Sequence, residues 1–271
     1  MVFEIRNKVA IVTGGASGIG LRFVRQLLTK DIRGVVIADI NADNGKKISE
    51  ELKREFGSEK IVFAKTDVSN TKSFEDAFEM ALKHFKNIDI LINNAGVCLD
   101  SQWEKEVDIN LKGPINGIIL GMEKYLRNHK QGNEAVILNV SSASVLYSVP
   151  LFPIYVGTKH AIVGLTRCWG HPWHFGRTKV RVVAVCPGLT NTPILDGFQT
   201  SCLSQAYLPL IEKINVDFGH TMQSPEHLAK EAIHVLEKAP NGTVWAIENS
   251  QSPIEYTVLD HADKLSNNIL H

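Results

Sequence analysis

Eight residues restrict this 271-residue chain more than any others: Thr13-Gly14-Gly15-Ala16-Ser17-Gly18-Ile19-Gly20. A short β-branched run, residues 9–13, leads into them, and a helical pattern, residues 20–29, leads out. Glycines at 14, 18 and 20 let a backbone turn tightly, approach a pyrophosphate closely and open a helix whose N-terminal amides favour anions. Glycines at this wide spacing also occur in turns that bind nothing. The context argues for a ligand here: a strand before, a helix after, and an acidic residue, Asp39, closing the second strand.

The remaining sequence repeats the same unit. Apolar, β-branched runs at 35–38, 61–64, 88–92, 135–140, 180–185 and 243–247 join 9–13 as expected buried strands. Helical patterns lie between them, clearest at 20–29, 42–55 and 73–85, with Asn41 placed to cap the second. Such alternation with short connections predicts an α/β fold, a parallel sheet with helices on both faces. No repeat, low-complexity tract or linker interrupts it, so residues 1–271 are expected to form a single domain. Residues 191–222 are the least regular long stretch and are expected to form a substrate lid. Residues 248–271 look like an extended C-terminal tail.

Composition excludes several classes. Lys+Arg and Asp+Glu are both 29, so no global charge draws nucleic acid or an anionic membrane surface. The nearest approach to a membrane span, residues 114–122, falls well short of the roughly 20 residues one needs and contains Asn116 and Gly117. No signal-peptide pattern precedes the first strand. Cys98, Cys168, Cys186 and Cys202 have no disulfide or metal spacing, so reduced thiols in a cytoplasmic protein are expected. Cys168, His171 and His174 would drift round a helix that Pro172 interrupts, and no metal is expected there.

The chemistry follows from residues at strand ends. An Asp39 carboxylate accepts bonds from adenosine ribose hydroxyls and repels a 2′-phosphate, and the glycine turn carries no Lys or Arg, so NAD is expected rather than NADP. Asp67 and Val68 end the third strand, within reach of an adenine. Asn93-Asn94-Ala95-Gly96 ends the fourth. Tyr155 and Lys159 lie four apart on one helical face. A nearby ammonium and a positive nicotinamide would lower the tyrosine from its usual value of about 10 and make it a usable base. Ser142, at the end of the fifth strand, is placed to bind a substrate oxygen beside it, and Asn110 to hold a proton-relaying water.

Taken in order, the T-G-x-x-x-G-x-G turn, N-N-A-G, Asn110, Ser142 and Y-x-x-x-K resemble the short-chain dehydrogenase/reductase family from about residue 8 to residue 247. The resemblance implies a doubly wound, seven-stranded Rossmann sheet, a catalytic tetrad of Asn110, Ser142, Tyr155 and Lys159, and a homodimer or homotetramer. It implies cofactor contacts from Gly14, Ser17, Gly18, Ile19 and Gly20, from Asn94, Ala95 and Gly96, and from Pro187, Gly188 and Thr192. Stretches such as Trp103-Glu104-Lys105 and Asn191-Thr192-Pro193-Ile194-Leu195 resemble the 15-hydroxyprostaglandin and insect alcohol dehydrogenase branches. Phe152 departs from the prostaglandin branch, which carries a polar glutamine there.

Val145, Phe152, Leu189, Phe198 and Tyr207 are expected to form a greasy substrate pocket. The reading is therefore NAD-dependent oxidation of a lipophilic primary or secondary alcohol. Its rival is a catalytically silent carrier of the same fold that binds NAD or a lipid.

Overall fold

The sheet is wound in two directions from its middle. A computed structural model describes residues 2–210 and 222–257. Its strands are β1 (Val9–Thr13), β2 (Gly34–Asp39), β3 (Ile61–Lys65), β4 (Ile90–Asn93), β5 (Ala135–Val140), β6 (Val180–Pro187), β7 (Val244–Ile247) and β8 (Ile254–Glu255). They lie in the order β3-β2-β1-β4-β5-β6-β7-β8. All neighbours pair in parallel as far as β7. The chain thus winds outward from β1 in one direction, then returns to β4 and winds outward in the other.

The sheet has one strand more than the seven the resemblance implies. Within the expected tail, Ile254–Glu255 turns back and pairs antiparallel with β7, Ala246 opposite Ile254. Two exposed residues leave no periodicity to read. Residues 258–271 lie outside the described residues.

Both faces of the sheet are covered, which is why its strands read as continuous apolar runs. Alternate residues of each strand serve the two sides. Ala10 and Val12 join Phe23, Val24, Leu27, Leu228 and Ile233 in one core, from helices α1 (Gly18–Thr29) and α10 (Pro225–Lys238). Val9 and Ile11 join Phe74, Phe78, Ile118 and Met122 in the other. There the helices are α3 (Thr71–Phe85) and a composite helix, α4 (Trp103–Val107), α5 (Gly113–Ile119) and α6 (Leu126–His129), joined by π-helical turns at Asp108–Lys112 and Leu120–Lys124.

Local chemistry fixes the helix ends. Asn41 accepts a bond from the Asn44 amide at 3.1 Å and starts α2 (Ala42–Phe56). Asn70 does the same for α3 through the Ser73 amide, 2.9 Å. Pro153 opens α7 (Pro153–Trp169), and Pro172 ends the run by starting the separate α8 (Pro172–Thr178). Residues 191–210 hold turns and the short α9 (Phe198–Ser201). The other part of the expected lid, residues 211–221, lies outside the described residues. No described helix is long and apolar enough to cross a membrane.

Candidate active site

Where the winding reverses, the loops leaving β1 and β4 diverge and open a crevice at the carboxyl edge of the sheet. A cavity of about 600 Å³ occupies it, reaching from the glycine turn to Tyr155 and beyond.

One wall is the turn between β1 and α1. Gly14 and Gly18 have φ of +62° and +50°, which L side chains rarely adopt. A Cβ on Gly20 would lie 2.1 Å from the Gly14 carbonyl oxygen, so glycine there lets the helix close on the turn. The start of α1 has no side-chain cap and no acidic residue in its first turn, and Ser17 lines the cavity with its hydroxyl uncommitted to capping. Uncapped amides at the positive end of a 12-residue helix suit an anion such as a pyrophosphate.

Of the expected cofactor contacts, Gly14, Ser17, Gly18, Ile19, Asn94, Ala95, Gly96, Pro187, Gly188 and Thr192 line the cavity, as do Tyr155 and Lys159. Gly20, Asp39, Asp67 and Val68 do not. Asp39 ends β2 and binds the turn itself, accepting from the Ala16 amide at 3.0 Å and the Asn41 amide at 2.9 Å. Asp67 accepts from the Ser69 amide and hydroxyl, and Val68 is buried.

Thr13, the first residue of the turn motif, ties the two loops together. Its hydroxyl accepts from the Asn94 and Ala95 amides at 2.9 and 3.0 Å and donates to the Ile92 carbonyl at 3.2 Å. The Asn94 side chain returns a bond to the Thr13 carbonyl at 2.9 Å.

The tetrad residues converge from three elements. Ser142 follows β5, Tyr155 and Lys159 project from α7, and Asn110 sits in the first π-helical turn. Ser142 and Tyr155 line the same cavity, and the Ser142 hydroxyl, which accepts from the Ser144 amide at 3.2 Å, lies near enough to favour the ionised phenol. The Lys159 ammonium lies 5.5 Å from the Tyr155 ring centroid and donates to the Val140 carbonyl at 3.2 Å. Ser141, absent from the expected set, donates to the Lys159 carbonyl at 2.8 Å. Asn110 accepts from the Val97 amide and donates to the Val97 carbonyl, both at 2.8 Å. Gly96 keeps the space between these groups clear, since a Cβ there would lie 3.2 Å from Asn110 Oδ1 and 3.4 Å from Lys159 Nζ.

Without the nicotinamide, burial dominates at the tyrosine: it pushes the phenol above its ordinary value, Cys98 adds in the same direction, and Ser142 opposes both. Burial likewise pulls the Lys159 ammonium down to about 8. Desolvation disfavours both charged forms.

Phe152 and Leu189 line the cavity together with Val97, Leu99 and Val149, and with the polar Ser144, Tyr147, Asp196 and Ser201. Val145 instead packs into a small core with Val163, Ala184, Cys186 and Val244. Tyr207 backs the wall, against the cluster of Cys98, Leu151, Phe152 and Cys202. The Phe198 side chain lies outside what the structure describes. His171 and His174 serve α8, His171 accepting from the Trp173 amide at 3.2 Å and His174 packing on Trp169 at 4.6 Å between centroids.

Asp100 also escaped the sequence reading. Fully buried, it accepts from the Ile154 and Tyr155 amides at 2.9 and 3.1 Å and so holds the start of α7. The available signal was negative: Phe152 and Pro153 give that helix no cap of its own, so an acceptor had to come from elsewhere.

A doubly wound sheet, a glycine turn at its reversal point, and a serine–tyrosine–lysine group facing the same crevice define a nucleotide-linked dehydrogenase. Comparison bears this out, since the short chain dehydrogenase family profile matches residues 8–201. The chain belongs to that family. It is 33% identical over 250 residues to rat 15-hydroxyprostaglandin dehydrogenase [NAD(+)], covering 92% of this chain and 93% of the relative. It is 30% identical over 241 residues to alcohol dehydrogenase 2 of Ceratitis capitata, covering 89% and 91%. Among solved structures, a short chain dehydrogenase/reductase from Burkholderia phymatum in complex with NAD superimposes with a TM-score of 0.74, at 23% identity and 86% coverage of each chain.

Proposed function

We propose that this chain oxidises a lipophilic primary or secondary alcohol to the aldehyde or ketone, with NAD as hydride acceptor and Tyr155 as general base. The observation that carries the reading is the convergence of Ser142, Tyr155 and Lys159 on one cavity that also takes in the glycine turn, Phe152 and Leu189. When bound, NAD supplies the electrophilic ring carbon that accepts hydride. The residues that would hold it are the β1–α1 turn, Asn94 to Gly96, Pro187, Gly188 and Thr192, with Lys159 at the nicotinamide ribose.

The chain's own residues do the proton work. Ser142 and Tyr155 hold the alcohol oxygen, and Tyr155 takes its proton as the carbon–hydrogen bond breaks. Lys159 returns that proton toward solvent, through a water bounded by Asn110. Because burial alone keeps the phenol protonated, the base becomes competent only when a positive nicotinamide offsets that burial, which couples catalysis to cofactor loading.

Asp39 supports NAD over NADP. Its carboxylate stands at the end of β2 with no cation in the turn to receive a phosphate. Phe152, buried and facing the cavity, supports an apolar substrate other than a prostaglandin. Thr192 to Asp196 and Ser201, from the stretch expected to form a lid, line the cavity and support a covering role for the described part of it. Exposed Trp103 and Ile119, on α4 and α5, support a homodimer or homotetramer, which light scattering would test. Four unpaired cysteines suit a reducing, cytoplasmic setting.

The test is absorbance of NADH with the purified chain, NAD or NADP, and alcohols from short aliphatic to retinoid and isoprenoid. Turnover of a lipophilic subset with NAD supports the reading. NAD binding without turnover across the panel would favour the silent-carrier alternative.

A further inference from the structure

The tetrad leaves one buried acid unexplained. Glu106, on the inner face of α4, is fully buried. Its Oε1 accepts from the Leu99 amide at 2.9 Å, and its Oε2 has no partner among the described residues. Its carboxyl meets that of Asp100 within hydrogen-bonding reach. Two carboxylates only accept, so a bond between them requires a proton on one. Asp100 is the better place for the charge, because both of its oxygens face amides at the positive end of a helix. The proton then belongs on Glu106, at the oxygen that otherwise has no partner.

We propose that Glu106 and Asp100 share one proton, and that this carboxyl pair is a positioning device fixing the start of the helix that carries Tyr155 and Lys159. The protonated Glu106 orients Asp100, and Asp100 holds the Ile154 and Tyr155 amides. In its kinetic consequence, the inference rests on the functional reading above.

The surroundings agree. Lys159 is the cation that bears on Glu106, Asp100 the anion, while Cys98 and Tyr155 both feel its charge. Cys202 packs in the same cluster as Cys98. Glu104 and Lys105, on the same helix, are exposed. Burial first, then Asp100, push Glu106 well above the ordinary carboxylic range, against the opposing Leu99 bond and Lys159. Loss of the proton would set a second anion beside Tyr155 and oppose its ionisation.

The experiment compares the full chain with Glu106→Gln, Glu106→Ala and Asp100→Asn. An amide at 106 can accept from Leu99 and donate to Asp100, as the protonated acid does. The folded parent keeps on Glu106 a proton that the unfolded chain releases in the ordinary carboxylic range. Its contribution to stability is therefore present at acid pH and is lost as pH rises toward the elevated folded value. Expected is a Tm that falls through that window in the parent and stays flatter in Glu106→Gln. Amide exchange at Ile154 and Tyr155 should quicken in Glu106→Ala and Asp100→Asn and stay slow in Glu106→Gln. With an alcohol that is turned over, Glu106→Ala should lose roughly 10- to 100-fold in kcat with little change in KM. Glu106→Gln should stay within about threefold of the parent at neutral pH. Coincident Tm–pH curves for parent and Glu106→Gln would overturn the shared proton. Equal exchange at the two amides in parent and Glu106→Ala would overturn the positioning role. A parent silent on every alcohol defeats the functional reading alone, because Tm and exchange still decide the pair.

Discussion

The two ends of the cavity are built differently. At the nucleotide end, side chains from distant parts of the chain bind one another's backbones. Thr13 bridges to Asn94 and Ala95, Asn94 answers to Thr13, and Asp39 grips Ala16. At the other end, the described hydrogen bonds of residues 193–204 are nearly all local: Thr200 and Ser201 to Gly197, Cys202 to Gln199 and Ser204. Apolar packing of Cys202, Tyr207, Leu208 and Leu210 against Leu151 and Phe152 holds that wall. Directional bonds fix one shape for one ligand, whereas non-directional packing tolerates repacking with similar volumes. The contrast teaches that the cofactor is written into the scaffold and the substrate into a replaceable lining.

Substitutions can break that contrast. The largest effect is expected from Tyr155→Phe, a loss on the order of 10²–10⁴ in turnover with NADH affinity kept, measured by steady-state rates and fluorescence titration. Turnover within tenfold of the parent would remove Tyr155 from its role. Next comes Asp39→Ser, which should move the NADP-to-NAD ratio of kcat/KM toward NADP by roughly tenfold or more, about 1.4 kcal/mol. An unchanged ratio would confine Asp39 to holding the turn. Thr13→Val strands the Asn94 and Ala95 amides and should cost about 1–3 kcal/mol of stability, read from denaturant midpoints. Leu189→Ala, on the half-exposed substrate wall, should change stability by no more than about 0.5 kcal/mol. It should nonetheless alter KM for long alcohols by up to about tenfold, a difference of about 1.4 kcal/mol. If Leu189→Ala destabilised as much as Thr13→Val, the two ends would not differ as described.

Legibility in the sequence follows the same division. Local signals carried the sheet, because strands buried on both faces must be apolar and glycine turns must be glycine. Residues 9–13 and 135–140 begin and end where their patterns did. The serine, tyrosine and lysine were legible because fixed spacing on a strand end and a helix face brings them together. Asp100, Glu106 and Thr13 act through bonds closed across 55, 7 and 81 residues, and no local pattern signals such closure. β8 is two residues long and has no period. Val145 reads as apolar in either setting, and only the fold turns it inward to a core rather than toward the cavity.

The π-helical turn at Asp108–Lys112 has a consequence for chain length. It holds one more residue than an α-helical turn would, and Asn110 lies within it. A π-helical turn of five residues sweeps nearly the same angle as an α-helical turn of four, so the extra residue is absorbed locally and the flanking segments keep their facing. Deleting a residue there would leave Glu106 facing Asp100 but tighten the turn that carries Asn110 and disturb its two bonds to Val97. The length of this turn is therefore tied to Asn110 rather than to the packing on either side of it.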